Sequence, residues 1–506
     1  MIPMEVVWFK KDLRLLDHAA LAAAAGLGPV LGLWIYEDDV MGGEDFDARH
    51  LGFANECLAE LDERLAAYDV RLLRRRGDAV AVFEELWQQT HFCRLHSHQE
   101  TGNAITYRRD LAVIAWARQR GVHWQEYAQT GVVRKLQKRD GWAERWLQRM
   151  TPPPRGIPHG LHGFNAANLA GESVCTAQDF GLSPDLSEPL RQRGGSSCGH
   201  ATLERFLQER GVGYTKEMSS PVTAWEACSR VSPYLTWGAL SVRQCLHASV
   251  DRRRNLLEQK ALGQRIDARW LSSMKSFQGR LRWHCHFMQK LEDEPAIEHR
   301  NFSRSCDGLR NEFHSDVESF NAWKEGRTGY PMIDACMRAL TATGWLNFRM
   351  RAMVMSFASY HLWLHWREPG LHLARMFLDY EPGIHWSQCQ MQSGTTGINT
   401  LRVYSPTKQL LDQDPQGKFI RQWLPELAQV PDVYLAEPWN MPALEQQFCG
   451  CVIGRDYPVP IVDHPTAYRH AQEKMHHLRQ HNDSKREARR IQKKHGSRKQ
   501  GTKTWR

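Results

Sequence analysis

The segment "LRWHCHFMQKL" (residues 281–291) sets Trp283, His284, Cys285 and His286 side by side. Histidine and cysteine are the usual soft ligands of zinc, so a metal site is the first chemistry to test. Helical geometry argues against it. Consecutive residues step by about 100° around a helix axis, so these side chains fan out, whereas ligands sharing one helix need a spacing of three or four. Leu281, Cys285 and Met288 form an apolar stripe, with Trp283 and Phe287 on an adjoining one. That describes a helix with one packed face and another carrying large side chains. The closest cysteine pair, Cys449 and Cys451 in "FCGCV", has no second pair at metal-binding spacing, so no metal is expected. A second candidate is "CSRVS" (Cys228, Ser229, Arg230, Val231, Ser232), which offers two hydroxyls and a cation. Such a run suits a phosphate group, or an ordinary helix cap.

The elements that would position these groups follow from periodicity. Over the first 130 residues, strand-length runs ("EVVWF", "VLGLWIY", "VRLLR", "CRLHS", "VHWQEY") alternate with helical stripes such as "LGFANECLAELDERLAAY". This alternation predicts an α/β domain with an open parallel sheet over residues 1–135. No G-x-G-x-x-G follows the first strand; the charged turn "KKDLRLLDH" stands there instead. "TPPPRGIPHG" and "RQRGGSSCGH" mark residues 136–200 as a loop-like interdomain linker. A large all-helical domain is expected over 201–480, in which "NFRMRAMVMSFASYHLWLHW" predicts one long buried helix.

The 506 residues carry 24% charged side chains, and the mean hydropathy is −0.56. No apolar run approaches the roughly 18 residues of a membrane span, and the first residues lack a signal-peptide layout. With twelve scattered cysteines, the expectation is a globular cytoplasmic protein. The net charge of +9 resides in the last 23 residues, Ser484 to Arg506, where ten Lys or Arg accompany only Glu487. Such a block predicts a disordered basic tail (481–506) that contacts nucleic-acid phosphates without reading sequence.

"VVWFKKDLRLLDHAAL", "SRVSPYLTWGALS" (229–241), "EGRTGYPMIDACMRALTATGWLNFRMR" (325–351) and "DPQGKFIRQWLPEL" (414–427) resemble four signatures of the DNA photolyase and cryptochrome family, in its order and spacing, over roughly residues 4 to 470. The resemblance implies an antenna-type α/β domain, a helical domain holding a U-shaped FAD, and a monomer. It also implies a carbon–carbon lyase that splits UV-induced pyrimidine dimers in DNA by light-driven electron transfer from reduced FAD. The alternative within the family is a blue-light receptor of the cryptochrome type, without repair activity. By the same resemblance Trp283 would stack on a flipped base, while Tyr214, the 228–232 run, Arg351, Asp379, Tyr380 and Glu381 would surround the cofactor, with Arg351 and Asp379 paired as a salt bridge beside its ring system. Asn347, Arg349 and Gln409 would contact DNA. "SHQETGN" (97–103) falls near the antenna pocket, whose pigment the sequence does not identify.

Several positions depart from the family pattern. The acidic or amide residue one turn before the stacking tryptophan is Arg280, the second tryptophan of the lesion pocket falls at Cys389 or Met391, and the asparagine facing flavin N5 falls at His385. The family's photoreduction chain of three tryptophans retains its middle member as Trp366. The outer one is Phe313, a poor relay, and the inner one falls at or near Ser387 or Cys389. Trp386 would substitute for the inner member, and Trp363 or Tyr360 would extend a different route.

Overall fold

The computed structural model describes residues 4–312, 316–399 and 401–497. Five parallel strands, β1 (Glu5–Phe9), β2 (Val30–Tyr36), β3 (Leu72–Arg76), β4 (Arg94–His98) and β5 (His123–Tyr127), form a sheet in the order β3-β2-β1-β4-β5. Every residue of β1 and β2 is buried, as expected for central parallel strands covered on both faces. The covering helices are α1 (Ala19–Ala25), α2 (Ala48–Ala66), α3 (Ala79–Thr90) and α4 (Ala104–Arg120). The strand order reverses between β1 and β4, which opens a crevice at the carboxyl ends of the strands.

In this crevice, His98 Nδ1 lies 2.7 Å from the buried Asp12 carboxylate and His18 Nε2 lies 3.1 Å from it. The opposite ring nitrogens accept from the Leu21 and Ala19 backbone N–H groups at the start of α1. Both nitrogens facing Asp12 therefore carry protons, and the trio acts as a helix cap. Burial alone would raise Asp12, but the two imidazoles hold it well below the ordinary carboxylate range.

The connection to the second domain is more structured than its Pro- and Gly-rich composition predicts. Helix α5 (Trp142–Met150) packs three apolar residues one turn apart, Trp142, Trp146 and Met150, into the core. The chain then runs over the α/β domain, held by Arg71 on the Ala166 and Leu169 carbonyls and by the Arg191–Glu56 pair at 3.0 Å. Among the described residues the helical domain contains α6 (Ser196–Gln208), α7 (Val242–Ala261), α8 (Arg269–Asp293), α9 (Pro331–Thr343), α10 (Phe348–Ser356), α11 (Arg367–Met376), α12 (Pro382–Ser393) and α13 (His464–Gln480), with shorter helices such as Val317–Lys324 and Pro406–Gln413 between them. One apolar core runs from β1 and α2 through α6 and α7 to α8, and Arg49 and His50 of α2 reach the Met376 and Phe377 carbonyls at 2.9 Å. α8 and α12 cross in close contact: a Cβ on Gly383 would lie 2.6 Å from Met288 Cα.

Two expectations are corrected. The long helix expected over 347–366 ends at Ser356, continues as one π-helical turn (Phe357–His361) and breaks at Trp363, which has φ of 54°. Arg310 inserts here, donating to the Ser359 carbonyl at 2.9 Å, and a side chain entering the ladder is a usual cause of such a break. The basic tail is not disordered over its described part: Asn482–His495 forms helix α14. Its charges point outward while Ile491 packs against Leu291, Ile297 and Phe302. His495 and Lys494 each reach Glu294 at 2.8 Å, and Glu487 accepts from Ser303 and Ser305 at 2.9 Å. Counting charge alone overlooks this apolar and polar underside.

Candidate functional site: a cofactor cavity in the helical domain

Helix α8 resolves the opening segment as its geometry predicts. Cys285 is fully buried in the core, and His286 turns toward Trp142 of α5 and the turn before it, where its Nδ1 accepts from Arg139 at 2.8 Å. His284 faces Asp379, and burial lowers its imidazole to about 4. Trp283 stays 38% exposed, its ring against Phe287 and His286.

A cavity of about 1030 Å³, counted to its mouth, lies between α10, α12 and the 214–232 segment. Of the residues singled out from sequence, the structure gathers Tyr214, Cys228, Ser229, Arg230, Ser232, Asn347, Arg351, Asp379, Tyr380, Glu381 and His385 in its wall. Val231 is not among them; its side chain is 2% exposed and packs in the core. Asn347, expected on a DNA-contacting surface, is also only 2% exposed. Its amide donates to the Met218 and Ser219 carbonyls at 3.1 and 2.8 Å, which ties α10 to the 214–219 turn. Gln409 is buried too, accepting from the half-buried Arg349 at 3.5 Å. Sequence reasoning missed Trp345 and Phe348, which flank Asn347 in the wall. Their place in "GWLNFRMR", at the start of an apolar helix, looks like ordinary core.

The electrostatics of the wall are mixed. Arg351 makes two parallel bonds to Asp379, at 2.8 and 2.9 Å. Burial pushes the Asp379 carboxyl up, but the Arg351 charge and its hydrogen bonds outweigh this and hold it low. Glu381 has no such partner: burial raises it to about 7, and its Oε1 is buried without a hydrogen-bond partner. His385 bonds the Gly370 carbonyl at 2.7 Å, and burial lowers it to about 4, so the ring is neutral at physiological pH. The Arg230 guanidinium lies between the Trp225 and Trp345 rings, at 3.7 and 4.1 Å, on a backbone with φ of 59°. Burial lowers it to about 10, and no carboxylate lies within ion-pair distance among the described residues.

Behind the wall, Tyr380 and His385 touch Trp386, with centroids 6.5 and 4.9 Å away, and Trp386 lies 5.8 Å from Trp366. Both tryptophans are buried, and Gly370 leaves room for Trp386, since a Cβ there would come within 2.9 Å of its ring. Phe313 lies outside the described residues. A second cavity, about 760 Å³ when counted out into its open mouth, lies at the carboxyl ends of the strands. Glu100, Gly102 and Asn103 of "SHQETGN" line it with Trp34, Glu37 and Arg109, and Tyr380 is shared with the first cavity.

This architecture matches known proteins. Residues 277–477 match the family model described as the FAD binding domain of DNA photolyase, and residues 5–139 match that of DNA photolyase. The chain belongs to the DNA photolyase and cryptochrome family. It is 29% identical to a deoxyribodipyrimidine photo-lyase of Vibrio cholerae, covering 91% of this chain and 97% of that one. It is 28% identical to Cryptochrome-2 of Arabidopsis thaliana, covering 91% of this chain and 77% of that one. The structure superposes on a class III photolyase from Agrobacterium tumefaciens with a TM-score of 0.81 at 25% identity, over 95% of this chain and 98% of that one. Relatives thus include both repair enzymes and cryptochromes. The family's cofactor is FAD, and the cavity suits it: apolar walls for a ring system, hydroxyls and an unpaired guanidinium for phosphates, and an ion pair for polar ring edges.

Proposed function

We propose that the protein is a light-driven DNA repair enzyme that splits UV-induced pyrimidine dimers. The observation that carries this reading is the cavity mouth. Phe348, a wall residue, is 51% exposed, and Trp225, which stacks on Arg230, is 38% exposed. The Arg280 guanidinium approaches Phe348 at 6.0 Å, and Trp283 follows Arg280 by three positions on the same helix. Exposed aromatic rings interleaved with arginines suit an extruded base and its phosphates.

In this reading Arg230, Ser229 and Ser232 hold the FAD pyrophosphate, while Arg351, Asp379 and His385 flank the ring system. When bound, reduced FAD supplies the light absorption and the electron that opens the dimer. The side chains have other tasks. Trp283 stacks on the flipped base, Arg280 and Arg349 contact phosphates, the neutral His385 places a hydrogen-bonding group without added charge, and Glu381, raised to about 7, can hold or release a proton near neutral pH. Trp366 and Trp386 pass electrons inward when the cofactor is reduced by light. The second cavity would hold an antenna chromophore, with Tyr380 as the shared wall between the two pigments. Trp283→Ala tests the mouth: affinity for a thymine-dimer oligonucleotide falls about tenfold, in line with the ~1–3 kcal/mol of one base–aromatic stack, with FAD content unchanged. Unaltered lesion affinity would contradict the assignment.

A further inference from the structure

A basin of about 1290 Å³, much of it open to solvent, lies on the far side of Trp366 from the cofactor cavity. Its walls include Asn301, Trp363 and His365, with three arginines, Arg300, Arg304 and Arg310, against two carboxylates, Asp307 and Glu312, the first of which accepts from Asn301 at 2.8 Å. Two of these touch the buried end of the tryptophan pair: Asn301 Oδ1 accepts from the Trp366 indole N–H at 2.7 Å, and the His365 ring lies 5.2 Å from Trp366. Arg310 is the unusual member. It is 3% exposed, its Nε and one terminal nitrogen donate to the Ser359 and Ser393 carbonyls, and its other terminal nitrogen, Nη1, is buried with no hydrogen-bond partner. No carboxylate lies within ion-pair distance of it among the described residues, and its only close electronic neighbours are the Trp363 and Tyr360 rings, at 4.5 and 5.4 Å. A buried cation without a counter-charge is costly, and burial lowers Arg310 to about 10. Arg304 at the rim also makes no ion pair among the described residues.

We propose that this basin binds a small anionic electron donor, bearing a carboxylate, enolate or phosphate, whose charge is drawn by Arg310 beneath the wall and by Arg304 at the rim, and which refills Trp366. The inference rests on the route through Trp386 and Trp366 given above. Trp366 is fully buried, so a donor must approach within one layer of side chains, and the Asn301–His365 floor supplies that layer. The electron balance is simple. The donor loses one electron to the oxidised Trp366, the neutral indole is restored with its N–H still on Asn301, and the donor leaves as its one-electron-oxidised radical.

Two measurements on the full chain test this. In equilibrium dialysis, inorganic phosphate binds the wild type saturably, and Arg310→Met weakens binding at least tenfold. Arg304→Gln, at the half-buried rim and less able to disturb folding, weakens it about threefold. Under blue light, reduction of the bound flavin by ascorbate saturates with its concentration and phosphate competes with it. Both substitutions raise the half-saturating ascorbate concentration by the same factors, while reduction by neutral dithiothreitol is unchanged. Absence of saturable phosphate binding overturns the proposal, as does an equal loss with both donors. Phosphate displaced by an undamaged oligonucleotide, with photoreduction indifferent to phosphate, assigns the basin to DNA and also overturns it. Trp366→Phe separates the two levels. Unimpaired photoreduction in that variant contradicts the route itself, whereas dependence on Trp366 without dependence on Arg310 contradicts only the basin.

Discussion

Two carboxylates in one wall, Asp379 and Glu381, face opposite demands. Asp379 is held ionised by Arg351, and Asp379→Asn leaves that guanidinium without its partner. Because Arg351 is partly exposed, a loss of about 1–3 kcal/mol is expected, below the cost of breaking a fully buried pair. The same variant retains FAD poorly, measured as flavin absorbance per protein after gel filtration. Glu381 behaves inversely. Its folded pKa, about 7, lies above that of the unfolded chain, so the native state is penalised as pH rises from about 5 through 7. Glu381→Gln therefore leaves thermal stability unchanged at pH 5 and raises it at pH 8, by on the order of 1–3 kcal/mol. A Tm difference independent of pH would show that Glu381 is compensated by a group outside the cavity wall. The Arg351–Asp379 pair was implied by the family resemblance and is present, whereas the isolation of Glu381 is not legible in "LDYEPG", because a carboxylate's surroundings are fixed only when the domain packs. The fan of His284, Cys285 and His286 was legible, because it follows from helix geometry alone.

At the scale of elements, period and composition succeed where one face of an element is buried uniformly. "EVVWF" and "VLGLWIY" coincide with β1 and β2 residue for residue. They fail where a distant side chain intervenes, as Arg310 does at the π-helical turn, and where a charged run hides a narrow apolar stripe, as in α14. This helix makes its own predictions. Ile491→Ala removes its buried anchor and costs about 2 kcal/mol or more, seen as a shift in the denaturation midpoint. Replacing the exposed Lys485, Arg486, Arg489 and Arg490 by Gln leaves that midpoint nearly unchanged. It weakens binding to damaged and undamaged DNA alike, and the slope of log affinity against log salt flattens by roughly 0.9 for each phosphate that is no longer neutralised. An unchanged salt slope would mean that α14 only braces the end of α8.

Across the whole molecule, a parallel sheet, a helical domain and one core continuous between them hold two cavities against a shared tyrosine. The family and the role of Trp283 were legible in its motifs, but the exposed rings of Phe348 in the cavity wall and Trp225 against Arg230 were not, because they come from separate segments. Among the described residues no helix is long and apolar enough to cross a membrane. Relatives of both kinds leave repair to be decided by the site, and the departures at Arg280 and His385 make the lesion itself the discriminating reagent. Repair is tested most directly by giving the FAD-loaded, reduced protein single- and double-stranded oligonucleotides that carry either a cyclobutane dimer or a (6-4) product. Intact pyrimidines are then counted by chromatography after blue light or darkness. Restoration of at least one lesion is expected in the light, and of none in the dark. Normal flavin photoreduction without repair of either lesion would contradict a repair function and identify a blue-light receptor.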